Sequence, residues 1–268
     1  MIAIAHFAAI TLYLAAAALA ATPLARPMNA PYRGVVGVLA AGVAVHAASL
    51  AMFARAGGHV IISGLGPSLS LAGLLLALTL VVVELIAREV SLTLVAAPLA
   101  ALPTIFANIV GFTPAREPSG VQGAWLAAHI ALSFIGIAAF GTAAAAGLVY
   151  LVERRQLKTR RFGALFRLFP PLATLDRVNH VAAVAGWLAL TFGVVLAVSY
   201  AFEYHQMQVA QLAWGVAAWV GVSTVALGRV TRGWQARRAA ILSSVSFAAV
   251  VLLYVALRVA GPVVGRFH

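Results

Sequence analysis

The chain contains no cysteine and few charged residues. Without a thiol it forms no disulfide, binds no metal through thiolates and carries out no cysteine-based redox chemistry of its own. Only 9% of its 268 residues are charged, whereas soluble domains have roughly 25%. Hydrophobic residues make up 63% of the sequence, and the mean hydropathy is +1.03. This composition excludes an ordinary soluble domain and is typical of a protein that lies mostly within a membrane.

Long apolar runs divide the sequence, and each approaches the roughly 20 residues that an α-helix needs to cross a hydrocarbon core. The runs are rich in Ala and Leu and lack the alternation of a barrel strand, so an all-α, polytopic membrane bundle is predicted. The segments between them are too short for a separate globular domain, which predicts a single membrane domain over residues 1–268. The eight predicted spans are about 3–22, 35–55, 66–87, 91–111, 121–152, 179–201, 208–228 and 239–260.

Acidic residues are scarce, six against 18 Lys and Arg, and the basic residues are unevenly placed. Fourteen of the 18 fall in alternate gaps between spans: Arg26, Arg33, Arg88, Arg154, Arg155, Lys158, Arg160, Arg161, Arg167, Arg177, Arg229, Arg232, Arg237 and Arg238. The positive-inside rule assigns these gaps to the cytoplasm, so both termini are predicted to lie outside it and residues 153–178 to form a cytoplasmic basic loop. The net charge of +12 then reflects topology and contact with anionic lipid, and nucleic acid is not a predicted partner.

Two of the seven histidines, His46 and His129, lie deep within predicted spans. At about 1.5 Å per helical residue both fall at a similar depth, where they could face one another. Two opposed neutral imidazoles can supply the two axial nitrogens of a haem iron. The spacing leaves two alternatives open: each imidazole hydrogen-bonds to a neighbouring helix, or the residues serve metal-ion or proton transport. His6 lies near the outer end of the first span, and the sequence predicts no role for it.

Other polar and aromatic residues have two interpretations each. His180 begins the sixth span and serves either a second site or the capping of the bundle. Glu84 and Arg88 are spaced i, i+4, which predicts a local ion pair, with Glu84 as a transport site the alternative. Trp214 and Trp219 suit an aromatic belt at the membrane interface, or the stacking surface of a porphyrin pocket.

The arrangement resembles the cytochrome c assembly family, the group of haem-handling membrane proteins that includes CcsA, HemX and YpjD. The resemblance rests on the span count and on stretches from the second span to the eighth. These are GVLAAGVAVHAASL around His46, AHIALSFIGIAAFGTAAAAGLVYLVERRQLK around His129, LDRVNHVAAVAGWLALTFGVVLA around His180, and AWGVAAWVGVSTVALGR followed by RGWQARRAA.

The resemblance implies an all-helical bundle that binds or conveys haem in a bacterial inner membrane. His46 and His129 match family histidine positions and become the expected axial ligands of a b-type haem, with His180, Trp214 and Trp219 as further cofactor-binding candidates. His180 matches a histidine of the YpjD-like members, whereas ligase members tend to have Tyr there. Expected partners are lipid, haem and other proteins of cytochrome assembly or haem biosynthesis.

The sequence also departs from the ligase members. No Trp-Asp element precedes Trp214, Leu227 and Arg229 stand where the family places a histidine, and the last span has no outer histidine unless His268 substitutes. We therefore expect an accessory or regulatory protein of the HemX/YpjD type that is not itself an enzyme. The alternatives are a cation or small-solute transporter that uses Glu84 and the intramembrane histidines, and a purely structural membrane subunit.

Overall fold

All regular structure in the part of the chain described by the computed structural model is helical. The described residues are 2–25, 31–57, 65–88, 90, 92–112, 120–160, 169–205 and 209–264. The helices are α1 (Ile2–Ala20), α2 (Thr22–Ala25), α3 (Tyr32–Gly57), α4 (Leu65–Ala87), α5 (Thr93–Val110), α6 (Gly120–Thr159), α7 (Leu172–Tyr204), α8 (Val209–Arg232) and α9 (Ala236–Val264). The predicted all-α fold class is confirmed.

Eight helical spans within these residues are long and apolar enough to cross a membrane. The first of them combines α1 with the short α2, and α3 to α9 supply one each. The predicted number of spans is confirmed, and the chain is a multi-span membrane protein. The side of the membrane on which the termini lie stays a prediction.

The segment predicted as a basic loop, residues 153–178, is helical at both ends. Helix α6 has 40 residues and continues seven residues beyond the predicted end of its span, to Thr159, while α7 already begins at Leu172. The extension contains Glu, Arg, Gln, Leu and Lys, all good helix formers, and has no Gly or Pro to end it. The middle of the predicted loop, residues 161–168, lies outside the described residues, as does His268.

The chain divides into two compact units. The first unit comprises Met1–Glu117 and Val149–Leu175, and the second comprises Pro118–Leu148 and Asp176–His268. Helices α1 to α5 therefore belong to the first unit, and most of α6 and α7 with all of α8 and α9 to the second. The single membrane domain over residues 1–268 stays a prediction.

In the first unit, α1 packs against α3 and α5, and α4 packs against α3 and α5. Glycines allow two of these close contacts. A Cβ atom on Gly42 would lie 2.8 Å from the ring of Tyr13, and one on Gly73 would lie 2.3 Å from Thr104 Oγ1 and 2.8 Å from the carbonyl oxygen of Ala100. Small residues at such contacts let helix backbones approach where no hydrophobic effect drives association.

Glu84 holds the start of α5 instead of pairing with Arg88. Its Oε1 atom accepts hydrogen bonds from the Thr93 backbone N–H at 3.0 Å and from the Thr93 hydroxyl at 2.8 Å. Leu92, the N-cap residue, has no side chain that can do so. Arg88 is exposed, and its positive φ of 54° follows the end of α4. No ion pair joins Glu84 to Arg88 among the described residues, so the predicted pair is wrong: the carboxylate accepts instead from the N–H and the hydroxyl of Thr93 at the start of the next helix.

The second unit has a core of small and aromatic side chains. Its buried members are Phe140, Ala143, Ala182, Ala183, Leu190, Val222, Val225 and Ala239. Helices α6 and α7 meet at two glycines: a Cβ atom on Gly136 would lie 2.5 Å from Leu190 Cγ and 3.0 Å from the carbonyl oxygen of Gly186. The buried Asn179 donates from Nδ2 to the carbonyl oxygen of Ala143 at 2.7 Å and to Ser243 Oγ at 2.8 Å, so a polar contact joins the helices as well.

Candidate functional site

His46 lies fully buried in the first unit, and both of its ring nitrogens are hydrogen-bonded. Nδ1 is 3.0 Å from the hydroxyl of Tyr13 on α1, and Nε2 is 2.8 Å from the hydroxyl of Ser70 on α4. Tyr13 and Ser70 are themselves fully buried. An imidazole in the middle of α3 is thereby satisfied by two neighbouring helices, as the hydrogen-bonding alternative predicts.

The same serine joins His46 to a second histidine, His6, for which the sequence predicts no role. His6 Nε2 is 2.7 Å from Ser70 Oγ, and His6 Nδ1 is 2.8 Å from the hydroxyl of Ser49 on α3. The rings of His6 and His46 lie 4.9 Å apart between centroids, edge to face. The available signal was the presence of serines within runs that are otherwise apolar, since a buried hydroxyl in a membrane needs a polar partner.

The arrangement around Ser70 restricts what His46 can bind. The single hydroxyl proton of Ser70 can be donated to only one of the two Nε2 atoms, so the other Nε2 must donate to the serine oxygen. His46 Nε2 therefore either carries a proton that it donates to Ser70 or accepts the Ser70 proton, and in neither case is its lone pair available. A metal ion at this nitrogen would have to displace Ser70.

His129 is arranged differently, in the second unit. Its Nδ1 atom lies 2.8 Å from the carbonyl oxygen of Gly193 on α7, with Ser133 Oγ at 3.4 Å. A carbonyl oxygen only accepts, so Nδ1 carries the proton and Nε2 of the neutral ring carries the lone pair. Within the described part of the chain, Nε2 has no hydrogen-bond partner. Metal-ligating histidines commonly have this arrangement, in which one ring N–H is fixed by a backbone carbonyl and the other nitrogen is left for the metal.

The short contact between His129 and Gly193 depends on small residues. A Cβ atom on Gly193 would lie 2.7 Å from Ser133 Oγ and 3.2 Å from the Ser133 backbone nitrogen. Glycine at this position therefore brings the backbone of α7 within reach of the imidazole on α6. Gly193 lies in the stretch around His180 that resembles the family, but its contact with His129 depends on the packing of α6 against α7 and could not be predicted from the sequence.

His180, in α7 of the second unit, accepts a hydrogen bond instead of presenting a free nitrogen. Arg229 Nε donates to His180 Nδ1 at 3.3 Å, while Nη2 of the same guanidinium pairs with the Asp176 carboxylate. The Arg229 side chain is only 9% exposed. Because Nδ1 accepts, the neutral imidazole has its proton on Nε2, the reverse of His129. This arrangement does not favour His180 as a metal ligand through Nε2.

Both predicted tryptophans are anchored within the second unit by their indole N–H groups. Trp214 Nε1 donates to the carbonyl oxygen of Val250 at 3.0 Å, and its ring lies 5.3 Å from that of Tyr254. Trp219 Nε1 donates to Thr191 Oγ1 at 2.9 Å, and the half-buried ring packs against the core of this unit. The indoles are thus tied to α9 and α7, and their roles as cofactor-binding residues stay predictions.

His46 and His129 belong to different units, each of which is described by itself. The two imidazoles also differ in their hydrogen bonds. Both ring nitrogens of His46 are hydrogen-bonded, whereas in His129 only Nδ1 has a partner among the described residues. The pairing of His46 with His129 on one haem iron therefore stays a prediction.

The fold and these polar groups define an all-helical, multi-span membrane protein with buried histidines. Comparison with known proteins is more specific: the sequence model of the family described as "Cytochrome C assembly protein" matches residues 62–264. The match covers most of the chain, and the protein belongs to this family. It includes His129, His180, Trp214 and Trp219, whereas His46 precedes it.

Individual relatives match shorter parts. The cytochrome c biogenesis protein CcsA of Synechococcus elongatus is 32% identical over 92 residues, which are 33% of this chain and 28% of CcsA. A protein of Azospirillum brasilense described as an uncharacterized 28.8 kDa protein is 28% identical over 155 residues, 56% of each chain. The alignment thus spans under a third of the length of the curated CcsA.

Proposed function

We propose that this protein binds haem in a bacterial plasma membrane and takes part in haem delivery or its regulation as an accessory member of the cytochrome c assembly family. Family membership supports haem handling in general. The observation that carries the proposal for this chain is the hydrogen bond from His129 Nδ1 to the Gly193 carbonyl oxygen. It leaves the lone pair on Nε2, which is suited to coordinate ferrous or ferric iron.

The second unit contains a side chain whose chemistry suits a haem iron. His129 offers a neutral imidazole nitrogen, and it lies only partly buried on a helix whose neighbours are apolar. Bound haem would supply a redox-active iron, and its porphyrin would give a Soret absorption band. His129 would hold the iron through Nε2, and the carbonyl oxygen of Gly193 would fix the orientation of the ring. His46 remains the predicted second ligand and would have to release Ser70 in order to bind iron.

An accessory role is supported by the residue that stands where the family resemblance places a histidine. Arg229 is paired with Asp176 and donates to His180, so a guanidinium group stands where the resemblance places a histidine. We propose that the chain is not itself a haem ligase. Glu84, which a transport function would require, is engaged with the start of α5, and this observation gives the transporter alternative no support.

The first test is the absorption spectrum of protein purified from cells supplied with ample haem. We expect a Soret band that His129→Ala removes or reduces at least about tenfold. His205→Ala is the matched control, because His205 is exposed at the end of α7, and it should leave the band unchanged. A colourless wild-type preparation, or a full Soret band in His129→Ala, would contradict the proposal.

The same assay distinguishes two possible roles of His46, as an iron ligand or as a hydrogen-bonding residue. If His46 ligates the iron, His46→Ala should lower the Soret absorbance, and Ser70→Ala should not, because it removes the hydroxyl that competes for Nε2. If His46 is only a hydrogen-bonding residue, neither change should alter the spectrum of folded protein. Covalent haem attachment to an apocytochrome c by this chain in cells without another ligase would contradict the accessory role.

A further inference from the structure

The turn between α8 and α9 has a fixed geometry. Helix α8 ends at Arg232, Gly233 has a positive φ of 57°, and the Trp234 backbone N–H donates to the carbonyl oxygen of Gly228 at 3.2 Å. This hydrogen bond closes a seven-residue turn from Gly228 to Trp234, and a glycine in the left-handed conformation directly after the last helical residue commonly ends a helix. The Trp234 ring lies against Gly228, where a Cβ atom would be 2.3 Å from Cε3. The indole is therefore held in one position.

Trp234 in turn positions a cation. The Arg238 Cζ atom lies 4.2 Å from the centroid of the indole ring, within the range of a cation–π interaction. Arg232, Arg237 and Arg238 are all exposed. In the part of the chain that the structure describes, none of the three forms an ion pair, and the first turn of α9 contains no acidic residue. The positive end of the α9 dipole adds to this uncompensated charge.

Two cavities open beside these side chains. One of about 450 Å³ is lined by Gln235, Arg237, Arg238, Ile241 and Leu242. The other, of about 310 Å³, is lined by Arg232, Gly233, Trp234, Gln235 and Arg238. Along α9, Arg237 and Arg238 are followed four residues later by Ile241 and Leu242, so the surface changes from cationic to apolar within about one helical turn.

We propose that this surface binds one anionic phospholipid. We call it the α8–α9 site and define it by Arg232, Trp234, Gln235, Arg237, Arg238, Ile241 and Leu242. Guanidinium groups bind phosphate oxygens through paired, charge-assisted hydrogen bonds, and Gln235 adds an amide donor between them. Ile241 and Leu242 give an acyl chain an apolar surface directly beside the headgroup. An amphiphile with a phosphate at one end matches this order of side chains, and the inference is independent of haem binding.

The test is native mass spectrometry of the full chain in detergent doped with phosphatidylglycerol or with zwitterionic phosphatidylcholine. Wild-type protein should retain phosphatidylglycerol in preference to phosphatidylcholine. Arg237→Gln/Arg238→Gln should weaken its retention by about 30-fold, since each basic residue near a membrane surface contributes about a factor of five. Arg154→Gln/Arg155→Gln removes the same charge from the end of α6 and should leave the retention nearly unchanged.

Two further variants test the two parts of the site separately. Ile241→Ser/Leu242→Ser should weaken lipid retention without altering the arginines, and Arg237→Lys/Arg238→Lys should weaken it although the charge is kept. Circular dichroism checks that each variant is folded. Equal losses in the α6 control, equal retention of both lipids, or displacement of the lipid by millimolar inorganic phosphate would each overturn the proposal, because the attraction would then be nonspecific or independent of the acyl chain.

Discussion

His129 donates a hydrogen bond from Nδ1 to the carbonyl oxygen of Gly193, 2.8 Å away on the neighbouring helix. This contact determines which ring nitrogen carries the proton, and it therefore determines which nitrogen can bind a metal. His180 has the opposite arrangement, because Arg229 donates to its Nδ1. Two histidines on adjacent helices thus differ in which ring nitrogen carries the proton.

Substitution of Gly193 should disturb haem binding without touching a ligand. In Gly193→Ala the new methyl group would lie 2.7 Å from Ser133 Oγ and 3.2 Å from the Ser133 backbone nitrogen, so the Ser133 side chain must rotate, α6 and α7 must shift slightly apart, and the His129 hydrogen bond lengthens. We expect the haem content to fall at least about twofold and the free energy of unfolding to fall by about 1–3 kcal/mol. Haem content is measured by absorbance per protein, and stability by unfolding in detergent.

Gly215→Ala is the matched control for this prediction. Gly215 lies in α8 of the same unit, and a Cβ atom there would meet nothing within 4 Å. Its haem content should match that of wild type, and its stability should be equal or slightly higher, because alanine favours a helix interior by up to about 1 kcal/mol. Similar losses in both variants would show that the Ser133 contact is not responsible.

Removal of the Ser70 hydroxyl should destabilise the first unit. Ser70→Ala leaves the Nε2 atoms of His6 and His46 without the partner that now joins them. Both imidazoles are fully buried, and we expect a loss of about 1–3 kcal/mol in the free energy of unfolding. Thr79→Val on the same helix removes a hydroxyl that bonds only to the carbonyl oxygen of Leu75 and should cost less than about 1 kcal/mol. An equal effect of the two changes would contradict the bridging role.

The Asp176–Arg229 ion pair should show a measurable coupling energy. The Arg229 side chain is 9% exposed and that of Asp176 34% exposed, which places the pair between an exposed and a buried one. A double-mutant cycle with Asp176→Asn and Arg229→Gln should give a coupling of about 1–2 kcal/mol in unfolding experiments. Strictly additive effects would show that the pair contributes nothing. Nitrogen-15 NMR of His180 in Arg229→Gln should also show loss of the single Nε2–H tautomer.

Close packing of α6 against α7 should be sensitive to one added methyl group. A Cβ atom on Gly136 would lie 2.8 Å from the Leu190 backbone nitrogen and 3.0 Å from the Gly186 carbonyl oxygen. Backbone atoms cannot move aside as a flexible side chain does, so Gly136→Ala should lower the free energy of unfolding by about 1–3 kcal/mol. Gly37→Ala, where a Cβ atom has open space, is the control and should not destabilise. Thermal unfolding in detergent distinguishes the two.

The eight spans could be predicted because the length of an apolar run is a local property of the sequence. The ends of α6 and α7 could not, because a helix that leaves the membrane continues wherever good helix formers follow. Glu84 shows a second limit: spacing along one helix suggested Arg88 as its partner, whereas the donors that its carboxylate accepts from belong to Thr93 at the start of the next helix.

The candidate site was predicted in its residue types but not in its contacts. His129 could be found as a polar residue deep in an apolar run, yet its protonation depends on the Gly193 carbonyl, which only helix pairing brings near. His6 was missed because it lies near the end of a span, where a polar residue needs no explanation. Its contacts with Ser70 and Ser49 join different helices, so the order of residues along α1 does not predict them.

Ser70 lies inside the stretch shared with the cytochrome c assembly family, while the two imidazoles that contact it come from helices before residue 62. A fragment restricted to the shared stretch would carry a lone hydroxyl facing the place that His6 and His46 fill. The leading helices therefore complete the interior of the shared stretch, and a deletion that removes them should be treated as a core mutation.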